Sequence, residues 1–327
     1  MIIFLFLILA AFTLSAASVD IIRRTLQQQL LDIPNDRSSH TQPTPRGGGI
    51  GFVIAFGITS TIAALCIDVT SRDIWLLWLT ISPITIIGVI DDLQGVPAAP
   101  RYAVQLLAAS LATFYFGAFP QPWLAEFGST GEIFAVILTV IGFTAIVNFF
   151  NFMDGLDGLI AGCTVIQLSF LAIYLNQPLL WLLTAALLGF LFWNWSPAKI
   201  FMGDTGSTVL GATVAVVLLN SPSQPHQAWT ALAITFPIIG DAIYTLIRRL
   251  LQKQNIFKAH RSHLFQRLYQ SGWPHHQVAL VYMGLTLIIA TLIALYNSNG
   301  AWISLFVSAS AIVYGERYLH SHIAREG

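Results

Sequence analysis

The chain has 327 residues, 56 % of them apolar and only 9 % charged, with a mean hydropathy of +0.72. Soluble domains carry about a quarter charged residues, so the solvent of this polypeptide is a lipid bilayer. Its 15 basic and 15 acidic residues cancel, which argues against a nucleic-acid partner, since such proteins need a basic face.

The first twenty residues are apolar and lack a basic leader; Arg23 and Arg24 follow the run instead. That order suits a first helix with its N-terminus outside rather than a cleaved signal peptide. A spanning helix needs about twenty mostly apolar residues. Eleven candidates (ten if two merge) lie near 1–21, 47–67, 73–91, 101–118, 132–150, 156–175, 178–193, 205–220, 228–249, 276–296 and 299–318. Cys66 and Cys163 fall inside such runs and read as small core residues, not as a disulfide or metal pair. With no fixed-period repeat and no low-complexity tract, the expected architecture is one all-α, polytopic membrane domain over 1–327.

Alternating the loops sorts the charges. One side receives Arg23, Arg24, Arg37, Arg46, Arg101, Lys199, Arg248, Arg249, Lys253, Lys258, Arg261, Arg267, Arg317 and Arg325; the other receives only Arg72. Basic residues mark the cytoplasmic side, so the N-terminus is expected in the periplasm and the C-terminus in the cytoplasm. Asp32, Asp36, Asp91, Asp92, Asp154, Asp157 and Asp204 fall at the same ends, with Asp241 alone near mid-helix. An ion pathway wants acids at mid-depth; a ring of acids at one face favours chemistry at the surface.

Five stretches carry that chemistry. The first loop holds Asp32-Ile-Pro-Asn-Asp-Arg-Ser-Ser-His40 and Thr44-Pro-Arg-Gly-Gly-Gly49. Its glycines permit close backbone approach and Arg46 suits a phosphate; a tight basic turn at the membrane edge is the plainer reading. Asp91-Asp92 closes the third helix, where two adjacent carboxylates and the helix dipole together call for a cation or a shared proton. Arg101 follows as a phosphate partner or an ordinary snorkelling arginine. Asn148, Asn151 and Asp154 are spaced i, i+3, i+6 along one helix face, and Asp157 is three residues further. Two Asp-Gly turns would explain the glycines there but not the asparagines. Gly203-Asp204-Thr-Gly-Ser207 opens the eighth helix, with an acid, hydroxyls and helix N-terminal amides suited to metal and phosphate; Asp204 or Thr205 would also serve as its N-cap. Finally, His260-Arg-Ser-His263 with Gln266 and Arg267 forms a cationic loop facing the acids. It suits anion recognition better than zinc, for which no third ligand lies near. His40, His226, His275, His276, His320 and His322 stay unassigned.

Together, Asp91-Asp92, Asn148-x-x-Asn151-x-x-Asp154-Gly-x-Asp157-Gly, Phe201-Met-Gly-Asp204-Thr-Gly-Ser207 and His260-x-x-His263 resemble the polyprenyl-phosphate N-acetylhexosamine-1-phosphate transferases, the glycosyltransferase family 4 group containing WecA and MraY. The last motif looks more like the WbpL-type, O-antigen-initiating branch than the peptidoglycan branch with its triple histidine. The resemblance implies transfer of N-acetylhexosamine-1-phosphate from a UDP-N-acetylhexosamine to undecaprenyl phosphate with release of UMP, on the cytoplasmic face of a bacterial inner membrane. It implies Mg²⁺, with Mn²⁺ as the alternative, and allows a homodimer through helix faces. By the same likeness Asp204 is the metal ligand, with Asp92 and Asn151 as further candidates. Asp91 or Asp92 orients or deprotonates the lipid phosphate. Asn148, Asn151, Asp154 and Asp157 line the nucleotide-diphosphate site, and His260, His263 and Arg267 hold the sugar nucleotide. A transporter with a cytoplasmic anion or cation site is the rival reading, and would move solute without releasing UMP. An intramembrane aspartyl protease and a CDP-alcohol phosphatidyltransferase lack their patterns here.

Overall fold

The computed structural model describes residues 2–25, 30–34, 40, 42–66, 71–220, 225–256, 258 and 260–326; the side chains of 71, 72 and 322–326 are outside that description. Arg37 and Asp36 of the first loop, and the side chains of Arg72, His322 and Arg325, are therefore outside it. The helices are α1 (Ile2–Thr25), α2 (Gly48–Cys66), α3 (Ser71–Gln94), α4 (Ala98–Phe116), α5 (Gly128–Met153), α6 (Leu159–Tyr174), α7 (Leu180–Asn194), α8 (Gly203–Leu219), α9 (Pro225–Leu232), α10 (Phe236–Leu251), α11 (Leu264–Gln270) and α12 (His275–Glu326). Among the described residues, six segments are long and apolar enough to cross a membrane: Ile2–Thr25, Gly48–Cys66, Asp73–Gln94, Pro122–Met153, Pro225–Leu251 and His275–Ser321. Helices α6, α7 and α8 are shorter apolar rods, and α4 occupies the expected span at 101–118.

Helix α8 is the axis of the molecule. Every residue from Thr205 to Leu218 is buried, with α2, α3 and α5 packed around it. Its run of Gly, Ala, Ser and Thr lets backbones approach, which is how helices associate when lipid removes the usual hydrophobic drive. A Cβ placed on Gly49 would lie 2.4 Å from the Gly206 nitrogen, so α2 and α8 touch backbone to backbone. Hydroxyls along this helix return to its own carbonyls, as Thr208 does to Asp204 O and Thr213 to Val209 O, while Thr205 at its start donates to α3. No polar group need face hydrocarbon. Large apolar side chains such as Phe6, Phe114, Ile141 and Phe306 point outward from the peripheral helices.

The long α12 is two arms. Its backbone leaves helical space at Asn297 (φ 50°, ψ −124°), and Trp273 Nε1 donates to Tyr318 Oη at 2.9 Å across 45 residues. A straight helix would separate them by roughly 65 Å. The chain folds back, which recovers the two expected spans at 276–296 and 299–318.

Besides a 3₁₀ turn at Pro122–Phe127 ahead of α5, three small elements nearer the cleft or α10 were not expected. A two-residue ladder joins β1 (Leu31–Asp32) to β2 (Thr44–Pro45), a 3₁₀ turn, Ala233–Thr235, separates α9 from α10, and α11 interrupts the loop after α10. The ladder matters for the site. Arg46 N donates to Leu30 O, Phe201 N to Pro45 O, Gly48 N to Phe201 O and Gly49 N to Met202 O, at 2.8–2.9 Å. The first loop is thereby stitched to the segment that leads into α8.

Candidate active site

At one end of the bundle a cleft of about 380 Å³ is lined by Arg46, Asp92, Asn151, Asp154, Asp157 and Asp204, joined by Asp32, His40, Asn194, Phe201, Gln266 and His275. Acids 112 residues apart in sequence thus share one space.

Its floor is the start of α8. Gly203 adopts φ +79°, a left-handed turn open to glycine, and the first α8 amides face α3. There Asp92 accepts from Asp204 N (2.8 Å), Thr205 N (3.1 Å) and Thr205 Oγ1 (2.6 Å). The cap of α8 therefore comes from another helix, not from Asp204 or Thr205 themselves. A borrowed cap leaves the Asp204 side chain free to face the cleft. Arg46 Nη2 holds the carbonyl of Asp92 at 2.8 Å.

Asp204 is contacted from two sides. Arg101 Nη1 lies 2.5 Å from both Asp204 Oδ2 and Asp91 Oδ2, so Arg101 bridges the two acids and does not itself line the cleft. Asn151 Nδ2 donates to Asp204 Oδ1 and to Ser207 Oγ, each at 3.0 Å. One α5 turn further on, the Asp154 side chain enters the cleft with no hydrogen bond or ion pair among the described residues. Burial first, then the charges of Asp204, Asp92 and Asp157, push its carboxyl up to about 8. An unpaired carboxyl among like charges is poised to take a cation or a proton.

The far wall is Asp157. It accepts from Ala198 N at 3.1 Å and sits 3.1 Å from His275 Nδ1. Burial raises this carboxyl, yet the hydrogen bond and charge of His275 outweigh it and hold the group below its ordinary value. Opposite, His40 meets the Phe201 ring edge-on at 4.7 Å.

Four residues assigned to substrate from the sequence face elsewhere. Asn148 lies a turn deeper and donates to Gln105 Oε1 and Thr144 O, both at 2.7 Å. His263 is 3 % exposed and packs 3.8 Å from Asp241. The His260 ring lies tilted against His263, centroids 4.9 Å apart; burial, then the His263 and Arg249 charges, push it down to about 4. Arg267 is paired with Glu316. The wall expected from this loop is supplied instead by Gln266 and, from α12, by His275. Spacing gave no hint of His275, although Pro274 just before it is a recognisable signal of the helix start that carries it. Among the described residues no three His, Cys, Asp or Glu side chains converge as a ready-made metal cage.

Residues 74–221 match the family described as Glycosyl transferase family 4. A probable undecaprenyl-phosphate N-acetylglucosaminyl 1-phosphate transferase of Bacillus subtilis is 32 % identical over 330 residues, covering 94 % of this chain and 90 % of that protein. The chain belongs to glycosyl transferase family 4, in the WecA/MraY group. Other family 4 relatives include a decaprenyl-phosphate N-acetylglucosaminephosphotransferase of Mycobacterium tuberculosis, 31 % identical over 76 % of this chain and 71 % of that protein. A phospho-N-acetylmuramoyl-pentapeptide-transferase of Staphylococcus epidermidis is 31 % identical over 75 % of this chain and 82 % of its own. The family 4 match holds Asp91, Asp92, Arg101, Asn151, Asp154, Asp157 and Asp204; Arg46, Gln266 and His275 lie outside it.

Proposed function

We propose that this family 4 member transfers N-acetylhexosamine-1-phosphate from a UDP-sugar to undecaprenyl phosphate, releasing UMP, as the first step of an O-antigen or related surface polysaccharide of the WbpL-like kind. The observation that carries the reading is Asp204, delivered by a borrowed helix cap into a cleft beside Asn151 and the unpaired Asp154. Placed in a bacterial inner membrane with eleven alternating spans, the chain would put fourteen of its fifteen basic residues on the side of the cleft, which supports a cleft open to the cytoplasm.

The reaction joins two anions. An oxygen of the lipid phosphate bonds to the phosphorus bearing the sugar, the bond from that phosphorus to the diphosphate's bridging oxygen breaks, and UMP leaves with that oxygen. Positioning and charge neutralisation are what such a transfer needs from a protein. Mg²⁺, when bound, would neutralise the diphosphate oxygens. Asp204 would hold it, with Asn151 or Asp154 alongside: hard oxygen donors, few in number, suit an ion that keeps waters and substrate phosphates as its other ligands. Asp92, with both oxygens engaged by α8, fixes Asp204 rather than competing for the ion. Arg101, held between Asp91 and Asp204 outside the cleft lining, would meet the lipid phosphate as it approaches Asp204, and Asp91 orients that arginine. Arg46 and the His275–Asp157 pair border the nucleotide end.

Asp204→Asn should abolish Mg²⁺-dependent UMP release while leaving the yield and melting of the protein unchanged; near-normal turnover removes Asp204 from the metal. A panel of UDP-sugars with undecaprenyl phosphate names the donor, and solute flux without UMP release would favour the transporter instead.

A further inference from the structure

No step above uses Asp241, yet this α10 carboxylate is 1 % exposed and the most heavily bonded acid among the described residues. Its Oδ1 accepts from Leu264 N (2.8 Å) and Thr245 Oγ1 (3.0 Å). Its Oδ2 accepts from Phe265 N (3.1 Å) and Tyr282 Oη (2.7 Å). An isolated buried carboxylate is costly, and four donors are what make such burial tolerable. Two of them are the opening amides of α11, which have no partner inside their own helix. One acid thus joins three elements: α10, which carries it, α11, which it caps, and the first arm of α12, which reaches it through Tyr282.

What α11 carries is the second half of the observation. Gln266 lines the cleft. Its Oε1 accepts from His263 N at 3.3 Å, which turns the amide nitrogen the other way: a Cβ on Gly155 would sit 3.5 Å from Gln266 Nε2 and 3.2 Å from the Phe265 ring. Gly155 stands between Asp154 and Leu156, so α11 sets an uncharged donor beside the acids. We propose that Asp241 is a positioning residue for the cleft, holding α11 so that Gln266 Nε2 donates a hydrogen bond to the bound sugar nucleotide.

The proposal rests on the reading that this cleft binds a UDP-sugar, and its test is built to fail separately. UDP is titrated calorimetrically into the full-length protein and into Asp241→Asn, Gln266→Ala and the double variant, with UMP release measured in parallel. Each single variant should weaken UDP-sugar recognition, raising KM about tenfold, the equivalent of one hydrogen bond, with kcat within about threefold. The double variant should be no worse than Asp241→Asn, because both act through one contact. Tyr282→Phe, which leaves Asp241 three donors, keeps the question open to measurement should Asp241→Asn not fold: it should raise KM by less and speed hydrogen exchange at Leu264 and Phe265. Multiplying effects, a fall in kcat at constant KM, or unchanged KM and unchanged exchange in Tyr282→Phe would each overturn it. If wild-type protein releases no UMP, the transferase reading fails instead; UDP affinity and the exchange rates then decide the part of Asp241, and equal affinity across all variants overturns it.

Discussion

Asp157 and His275 are 118 residues apart in the chain and meet at 3.1 Å on the far wall of the cleft. The pair sets a pH dependence. With its carboxyl below the ordinary value, Asp157 contributes stability that is complete above the unfolded carboxylate pKa and lost as pH falls through the depressed one. His275→Ala removes the strongest group opposing the burial cost and leaves only the weaker hydrogen bonds such as that from Ala198 N, so Asp157 protonates at higher pH. The acid limb of UMP release should therefore move upward, measured as a pH–rate profile; an unmoved limb means that Asp157 is not the group titrating. Individual residues were legible where local geometry determines them. The three-residue steps of Asn151, Asp154 and Asp157 lead into the cleft as spacing implied. Asn148 obeys the same spacing but sits one turn too deep, where the α4 side chain of Gln105 claims it. His263 and Arg267 read as free cations because their counter-charges, Asp241 and Glu316, lie on other helices.

At the level of elements, α8 depends on α3. A mid-sequence Gly-Asp-Thr-Gly-Ser run announces a helix start, and the helix does start there. What no local rule could supply is that the cap would be Asp92. Thr205→Val removes the 2.6 Å bond from the hydroxyl to Asp92, a charge-assisted contact that costs roughly 1.5–3 kcal/mol when lost from a buried site. A lower melting temperature should accompany a reduced kcat with little change in KM, because Asp204 loses its placement rather than the cleft its shape; an unchanged melt would show that Asp92 does not hold α8. The long spans were readable from hydropathy alone. The seven-residue α11 and the two-residue ladder were not, being too short for any period to emerge and held by partners distant in sequence.

For the whole molecule, arrangement across the bilayer is the decisive question. Gln252, exposed in the loop after α10, offers the probe: Gln252→Cys should react with a membrane-impermeant maleimide in inside-out vesicles and not in intact spheroplasts, and the reverse labelling would invert the assigned orientation. The expectation of a polytopic all-helical chain holds, with six segments of the described residues long and apolar enough to cross a membrane, because apolar runs are additive signals along a chain. The meeting of the acids was a different matter, resting on contacts between segments as distant as Pro45 and Phe201.

Those same contacts impose an order on biosynthesis. While the ribosome is making residues 50 to 200, the glycine-rich edge of the first loop has no backbone to bond, for its acceptors and donors at Phe201 and Met202 do not yet exist. The nascent protein must thread most of its spans into the membrane with the future floor of the pocket still unbuilt, and its last wall arrives only with His275. A split between residues 220 and 225 would therefore yield two inert pieces, each missing what the other holds, and catalysis would return only on their co-insertion.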